Sequence, residues 1–158
     1  VGAPLAYLLT WTTHGTWLHG DERGSVERDA GGRVRRIEPR ETTKMYWRGR
    51  LATPVLTLTP RMRLVVSMAI EDACAFQRWE LAAANVRSNH VHVLAQAPAA
   101  PEEVMRRLKA RATRALREAG LVPPTRAVWT RHGSTRYLWN TADVRAATDY
   151  VRRFQDGP

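Results

Sequence analysis

The chain has 158 residues, of which 44% are hydrophobic and 25% charged, a balance that fits one globular domain and excludes a wholly disordered chain. Lys and Arg number 25 against 15 Asp and Glu, a net charge of +10, and every basic residue except Lys44 and Lys109 is arginine. Such a surplus of planar, multi-donor cations points to a polyanionic partner, most simply a nucleic acid, while a single cysteine, Cys74, excludes a disulfide framework and a cysteine-based zinc site.

Leu5 to Thr13 is rich in aromatic and β-prone residues and predicts a first strand. Residues 14–59 carry scattered glycines and charges without a helical or strand period, and predict a long insert: a loop with room for a short helix. Thr59 and Pro60 have the chemistry of a helix cap and first turn, and the helix should run to about Gln77 with Leu64, Met68, Cys74 and Ala75 on its apolar spacing. Trp79 to Val86 and His90 to Gln96 predict two further strands, joined by the hairpin-length link Arg87-Ser88-Asn89. Pro101-Glu102-Glu103 opens a second helix, whose apolar face includes Val104, Met105, Leu108, Ala112 and Leu116 and which Gly120 stops. Val128 to Trp139 predicts a strand region broken at Gly133, and Thr141 should cap a last helix to about Phe154. The order gives an α+β class, a ferredoxin-like βαββαβ core in one domain over residues 1–158: an antiparallel sheet with its two main helices on one face, a C-terminal helix, and the insert after the first strand. No stretch is apolar for long enough to span a bilayer and no signal-peptide pattern opens the sequence, so a cytoplasmic, nucleoid-associated protein with no membrane partner is expected.

The sharpest local signal is His90-Val91-His92. On a strand, residues two apart share a face, so both imidazoles can converge on one divalent ion while Val91 and Val93 turn into the core. A histidine-triad nucleotide hydrolase would need a third alternating histidine, where this chain has Leu94. A two-histidine phosphoesterase would need Thr or Ser two residues after each histidine, twice in the chain, and lacks them. Two partly exposed strand histidines with no ligand remain an open alternative from the residues alone.

The stretch Asn85-Val86-Arg87-Ser88-Asn89-His90-Val91-His92-Val93 resembles the motif of REP-associated tyrosine transposases, relatives of the single-tyrosine insertion-sequence transposases. The resemblance extends to Leu8–Leu18, to Val104–Lys109, to Trp129–Trp139 and to Asp149-Tyr150-Val151 with Gln155 beyond it. It implies a ferredoxin-like sheet, a Mg²⁺ or Mn²⁺ ion on His90 and His92, and Tyr150 as the nucleophile that cuts single-stranded DNA and leaves a 5′-phosphotyrosine. Some family members place a glutamine ligand four residues after the tyrosine. Gln155 stands five residues on, so it qualifies as a third ligand only if the last turn loosens. Phenols ionise only near pH ~10, so a cation or metal near the ring is needed for attack.

The helix after Pro101 carries Arg106, Arg107, Lys109, Arg111, Arg114 and Arg117 with no acid from Arg106 to Arg117. A one-sign face exceeds what solubility needs and suits phosphates. Arg131 and Arg136 add charge, and Trp129 among them suits stacking on splayed bases. The expected substrate is single-stranded or hairpin DNA, cut by a metal-dependent endonuclease and strand transferase; the alternative is a nucleic-acid-binding module on the same fold that does not cut. Monomer and homodimer both remain open.

Overall fold

The computed structural model describes residues 2–16, 25–28, 34–37 and 55–153. Strand β1 (Ala6–Thr12) sends Tyr7, Leu9 and Trp11 to one face and Leu8 to the other, as a period of two requires. The insert contains two short strands, β2 (Ser25–Arg28) and β3 (Val34–Ile37), paired antiparallel as a separate two-stranded sheet. The sequence predicts a loop there, because four-residue strands are too short to show a period.

Helix α1 (Pro60–Gln77) starts as its sequence dictates. Thr59 Oγ1 accepts the Met62 N–H at 3.2 Å, and Pro60 occupies the first turn. Its buried row is Met62, Val66, Ala69, Ile70 and Cys74, whereas Leu64 and Met68, expected on the core face, are exposed. The helix is apolar around much of its circumference, so spacing alone does not choose the side that meets the sheet. Burial pushes the Cys74 thiol up to about 11, which keeps it unreactive.

Strands β4 (Glu80–Val86) and β5 (His90–Gln96) form the expected hairpin, closed by the Arg87 N–H donating to the His90 carbonyl at 2.8 Å. Helix α2 (Pro101–Glu118) buries Val104, Met105, Leu108, Ala112 and Leu116. Strand β6 is only Ser134–Leu138, and the preceding stretch meets the end of β1 through an isolated bridge, Thr13 to Trp129, with the Thr130 N–H donating to the Thr12 carbonyl at 3.0 Å. Gly133 separates the two. A Cβ there would stand 2.5 Å from the Thr10 carbonyl oxygen and 2.8 Å from Met105 Sδ, so only glycine fits where the chain enters β6. Helix α3 (Thr141–Arg153) is capped by Asn140, one residue before the expected cap: Asn140 Oδ1 accepts the Asp143 N–H at 2.8 Å, and its amide donates to the Asp143 carboxylate at 2.9 Å.

The main sheet has the order β4-β5-β1-β6 with every pair antiparallel, the ferredoxin-like topology. Helices α1 and α2 pack on each other and enclose the main core with Trp11, Ile70, Val91, Val93, Leu108 and Leu116. The second face carries Leu94 and Leu138, which α3 covers with Ala147 and Val144. Helix α3 therefore lies on the face that α1 and α2 leave open, against β4 and β5. Among the described residues, no helix is long and apolar enough to cross a membrane.

Candidate active site

The alternation of β5 builds core and site together. Val91, Val93 and Ala95 enter the main core, so His90 and His92 face the other way. Their ring centroids are 4.9 Å apart. Each ring is held by a hydrogen bond at Nδ1. Asn89 Oδ1 is 2.8 Å from His90 Nδ1; an amide oxygen only accepts, so His90 carries its proton on Nδ1 and leaves the Nε2 lone pair free. Thr10, opposite His92 in the β1–β5 register, places Oγ1 at 2.9 Å from His92 Nδ1 and so orients that ring, leaving Nε2 as the nitrogen without this contact. Burial pulls the pKa of His92 down to about 4, helped by His90 and by the Arg87 charge; burial and Arg87 also lower that of His90. Both imidazoles are thus neutral at pH 7, the form that binds a metal. The donor set fits a divalent ion held by two Nε2 atoms with oxygen donors completing the shell. No further His, Cys, Asp or Glu joins the pair among the described residues.

The last helix supplies the tyrosine. Tyr150 stands with its ring centroid 5.7 Å from that of His92, the two planes at 75°, and the residue is 45% exposed. Asn85 fixes this placement. It lies opposite His92 in the β4–β5 register, is buried, and donates from Nδ2 to the Val151 carbonyl at 3.2 Å. The last carbonyls of a helix lack intrahelical partners, so a β4 side chain closes the final turn of α3 one residue beyond the tyrosine. Between α3 and β6 lies a cleft of about 450 Å³ whose lining includes Thr10, His92, Ser134, Arg136, Asp143 and Tyr150. An imidazole, a phenol and an exposed guanidinium meet around a space that can admit a phosphate.

Of the residues the sequence singled out, His90, His92, Tyr150 and Arg136 come together. Gln155 lies outside the described residues, as does Tyr46. Tyr7 and Tyr137 lie on the opposite face, their rings in edge contact at 5.4 Å, so neither shares the histidine cluster. The α2 cations also lie on that opposite side. Arg106 and Arg107 both bond Glu103, and Arg114 bonds Glu118, all exposed; Arg111 is exposed as well. Lys109 is turned inward, and its ammonium donates to the carbonyls of Thr130 and His132. Trp129 packs edge-on against Trp11 at 6.0 Å and donates its indole N–H to the Lys109 carbonyl, which makes it part of the core margin. Arg131 is exposed on the loop before β6. Sequence reasoning did not single out Thr10, Asn85 or Asn89. Asn85 and Asn89 stand inside the motif around the histidine pair, and the signal is a polar side chain on the strand before a predicted ligand, for Asn85, or directly beside one, for Asn89.

The family profile described as "Transposase IS200 like" matches residues 46–154, well over half of the chain. The chain belongs to the IS200-like transposases. Membership in this family makes DNA the partner class and transposase-type chemistry the general activity. Two solved structures share the fold of this IS200-like chain. A REP-associated tyrosine transposase, determined bound to a REP hairpin, superposes with a TM-score of 0.55 at 13% identity, over 98% of this chain and 71% of its own. A protein of Deinococcus radiodurans assigned to the transposases superposes with a TM-score of 0.52 at 15% identity, over 100% of this chain and 95% of its own. No curated protein sequence matches the chain.

Proposed function

We propose that this IS200-like chain cuts and rejoins single-stranded DNA beside a hairpin, with Tyr150 as the nucleophile of its own subunit. The observation that carries the reading is the 5.7 Å approach of the Tyr150 ring to His92 across two elements of one chain. The neighbour bound to a REP hairpin supports hairpin DNA as the substrate class. A DNA substrate also suits a cytoplasmic, nucleoid-associated protein.

His90 and His92 would hold a Mg²⁺ or Mn²⁺ ion through Nε2. When bound, that ion polarises the scissile phosphate and offsets the charge that builds up on it in the transition state. Arg136 takes a phosphate oxygen and orients the group. The Tyr150 oxygen attacks phosphorus and loses its proton to solvent. The 3′ oxygen departs with the electron pair of the broken P–O bond and takes up a proton as a free 3′-hydroxyl. The new bond is a 5′-phosphotyrosine. A phenolate is a good enough leaving group for a 3′-hydroxyl to reverse the step, so rejoining needs no ATP.

The test is a trapped covalent species. With Mg²⁺ or Mn²⁺ and a hairpin-flanked strand labelled at its 3′ end, the wild type should yield an adduct stable to denaturation. Tyr150→Phe should bind the same DNA and form none, while Tyr137→Phe should behave as wild type. An adduct that survives Tyr150→Phe overturns the assignment of the nucleophile. Cleavage with no adduct would mean that water attacks, and binding with no cleavage at all would favour the non-cutting module.

A further inference from the structure

Strand β6 carries a feature that the tyrosine chemistry does not use. Its alternation gives Ser134 and Arg136 to the cleft with Tyr150, and turns Tyr137 to the opposite face, where its ring meets Tyr7. Tyr7 is itself anchored, buried and donating its hydroxyl to the Ala99 carbonyl at 3.0 Å. On Tyr137 lies Trp139, with ring centroids 5.9 Å apart and planes within 14° of parallel. Trp139 is 53% exposed at the margin of the sheet, so packing of the fold does not account for it. A groove of about 1140 Å³ lined by Met105, Arg106, Lys109, His132 and Thr135 runs between α2 and β6 on the α2 side of the strand.

We propose that the Tyr137–Trp139 stack is a nucleobase subsite, which takes an unpaired base next to the phosphate cut at Tyr150; the inference rests on the proposed function above. Strand β6 is an edge strand, and only one residue step separates Arg136 on the cleft side from Tyr137 on the other. A single strand crossing that edge presents a phosphate to one face and an adjacent base to the other. A paired base inside a duplex has both faces covered by its neighbours, so the platform selects unpaired nucleotides. A second copy of the chain is a poorer occupant, because each copy brings a net charge of +10.

The experiment measures binding and adduct formation side by side, on a hairpin oligonucleotide with single-stranded flanks and on a set in which one flanking nucleotide at a time is abasic. Trp139→Ala should weaken binding about tenfold without changing the slope of log affinity against log salt, since stacking releases no counterions. Trp139→Phe keeps a ring and should recover most of the loss. One abasic position close to the cut should weaken wild-type binding by the same factor and have no further effect in Trp139→Ala. Unchanged affinity in Trp139→Ala, with the wild type still forming its adduct, would overturn the subsite and leave the proposed function standing. A Trp139→Ala loss that is additive with every abasic position would overturn it too, as would a loss of self-association with DNA binding intact. If the wild type forms no adduct but the abasic coincidence holds, the subsite stands and the nucleophilic reading fails.

Discussion

Replacing Asn85 by Leu would preserve most of the side-chain volume and remove the donor that holds the end of α3. The wild-type amide is buried and bonds the Val151 carbonyl at 3.2 Å. Val151 is itself fully buried, so water cannot replace the missing donor without opening the helix. The bond itself contributes about 1 kcal/mol net, and stranding a buried acceptor adds roughly 1–3 kcal/mol. A total of ~2–4 kcal/mol shifts the docking equilibrium of α3 toward the open state by about 30- to 700-fold, at about 1.4 kcal/mol per tenfold. Hydrogen exchange should report this directly. Amides in the second half of α3 should exchange faster by that factor, while those of β5 stay as protected as in the wild type. Metal affinity measured by calorimetry should be unchanged, since the imidazoles are held by Thr10 and Asn89 rather than by Asn85. The rate of adduct formation should fall as the tyrosine leaves the histidine face. Unchanged exchange in α3, or equal loss of protection in α3 and β5, would refute a local latch.

His92→Ala should abolish Mg²⁺- or Mn²⁺-dependent cleavage and metal binding together, with the far-UV spectrum of the fold retained; full nicking activity would remove the metal-site assignment. The metal-free protein should lose stability as pH falls. His92 has a folded pKa of about 4 against ~6.5 in the unfolded chain, so the unfolded state binds the extra proton between those values. Its contribution of about 3 kcal/mol is complete above pH ~6.5 and disappears on falling through ~4, and His90 acts in the same direction. Chemical denaturation from pH 7 to 4 should show that slope, and His92→Gln should flatten it. Arg107→Ala with Arg111→Ala should reduce the salt slope of single-strand binding by about 1.4, at ~0.7 for each phosphate no longer neutralised. An identical slope would mean that this face of α2 is only solvated.

The fold is legible in the sequence where one physical signal dominates. The helix opening at Thr59-Pro60, the hairpin over Arg87–Asn89 and the alternation of His90 to Gln96 each reflect a single local preference, and each takes the form that preference dictates. The α1 core face is not legible, because apolar residues on several sides leave the choice to the sheet. Propensity extends the last strand back beyond Gly133, since it does not register a close approach between Gly133 and the Thr10 carbonyl. At the site, His90, His92 and Tyr150 are visible as chemistry. The residues that aim them are less visible: Thr10 and Asn85 acquire their roles only through register, flanking His92 from β1 and β4, while Asn89 acts on its chain neighbour His90. Trp129 and Trp139 look alike in the sequence, and only packing separates the indole bonded to Lys109 from the exposed one.

Among the described residues, two basic regions end on opposite sides of the sheet, which constrains a DNA path that uses both. The α2 arginines lie on the face that covers Val91 and Val93, and the cleft with Tyr150 lies on the other. A strand that touches both has to turn around a sheet edge. The β4 edge is flanked by α1 on one face and α3 on the other, both in contact with β4. The β6 edge carries Arg136 toward the cleft, an exposed Arg131 on the approach and the Tyr137–Trp139 stack on the far side. Cations and exposed aromatic faces are the two groups that a flexible, charged, unstacked polymer requires, and a rigid duplex could not follow so sharp a turn. On the proposed function, the edge strand therefore offers a route between a phosphate on the α2 arginines and the phosphate attacked by Tyr150. The route also makes the effects of the α2 arginines and of Trp139 separable, because the former act through counterions and the latter does not.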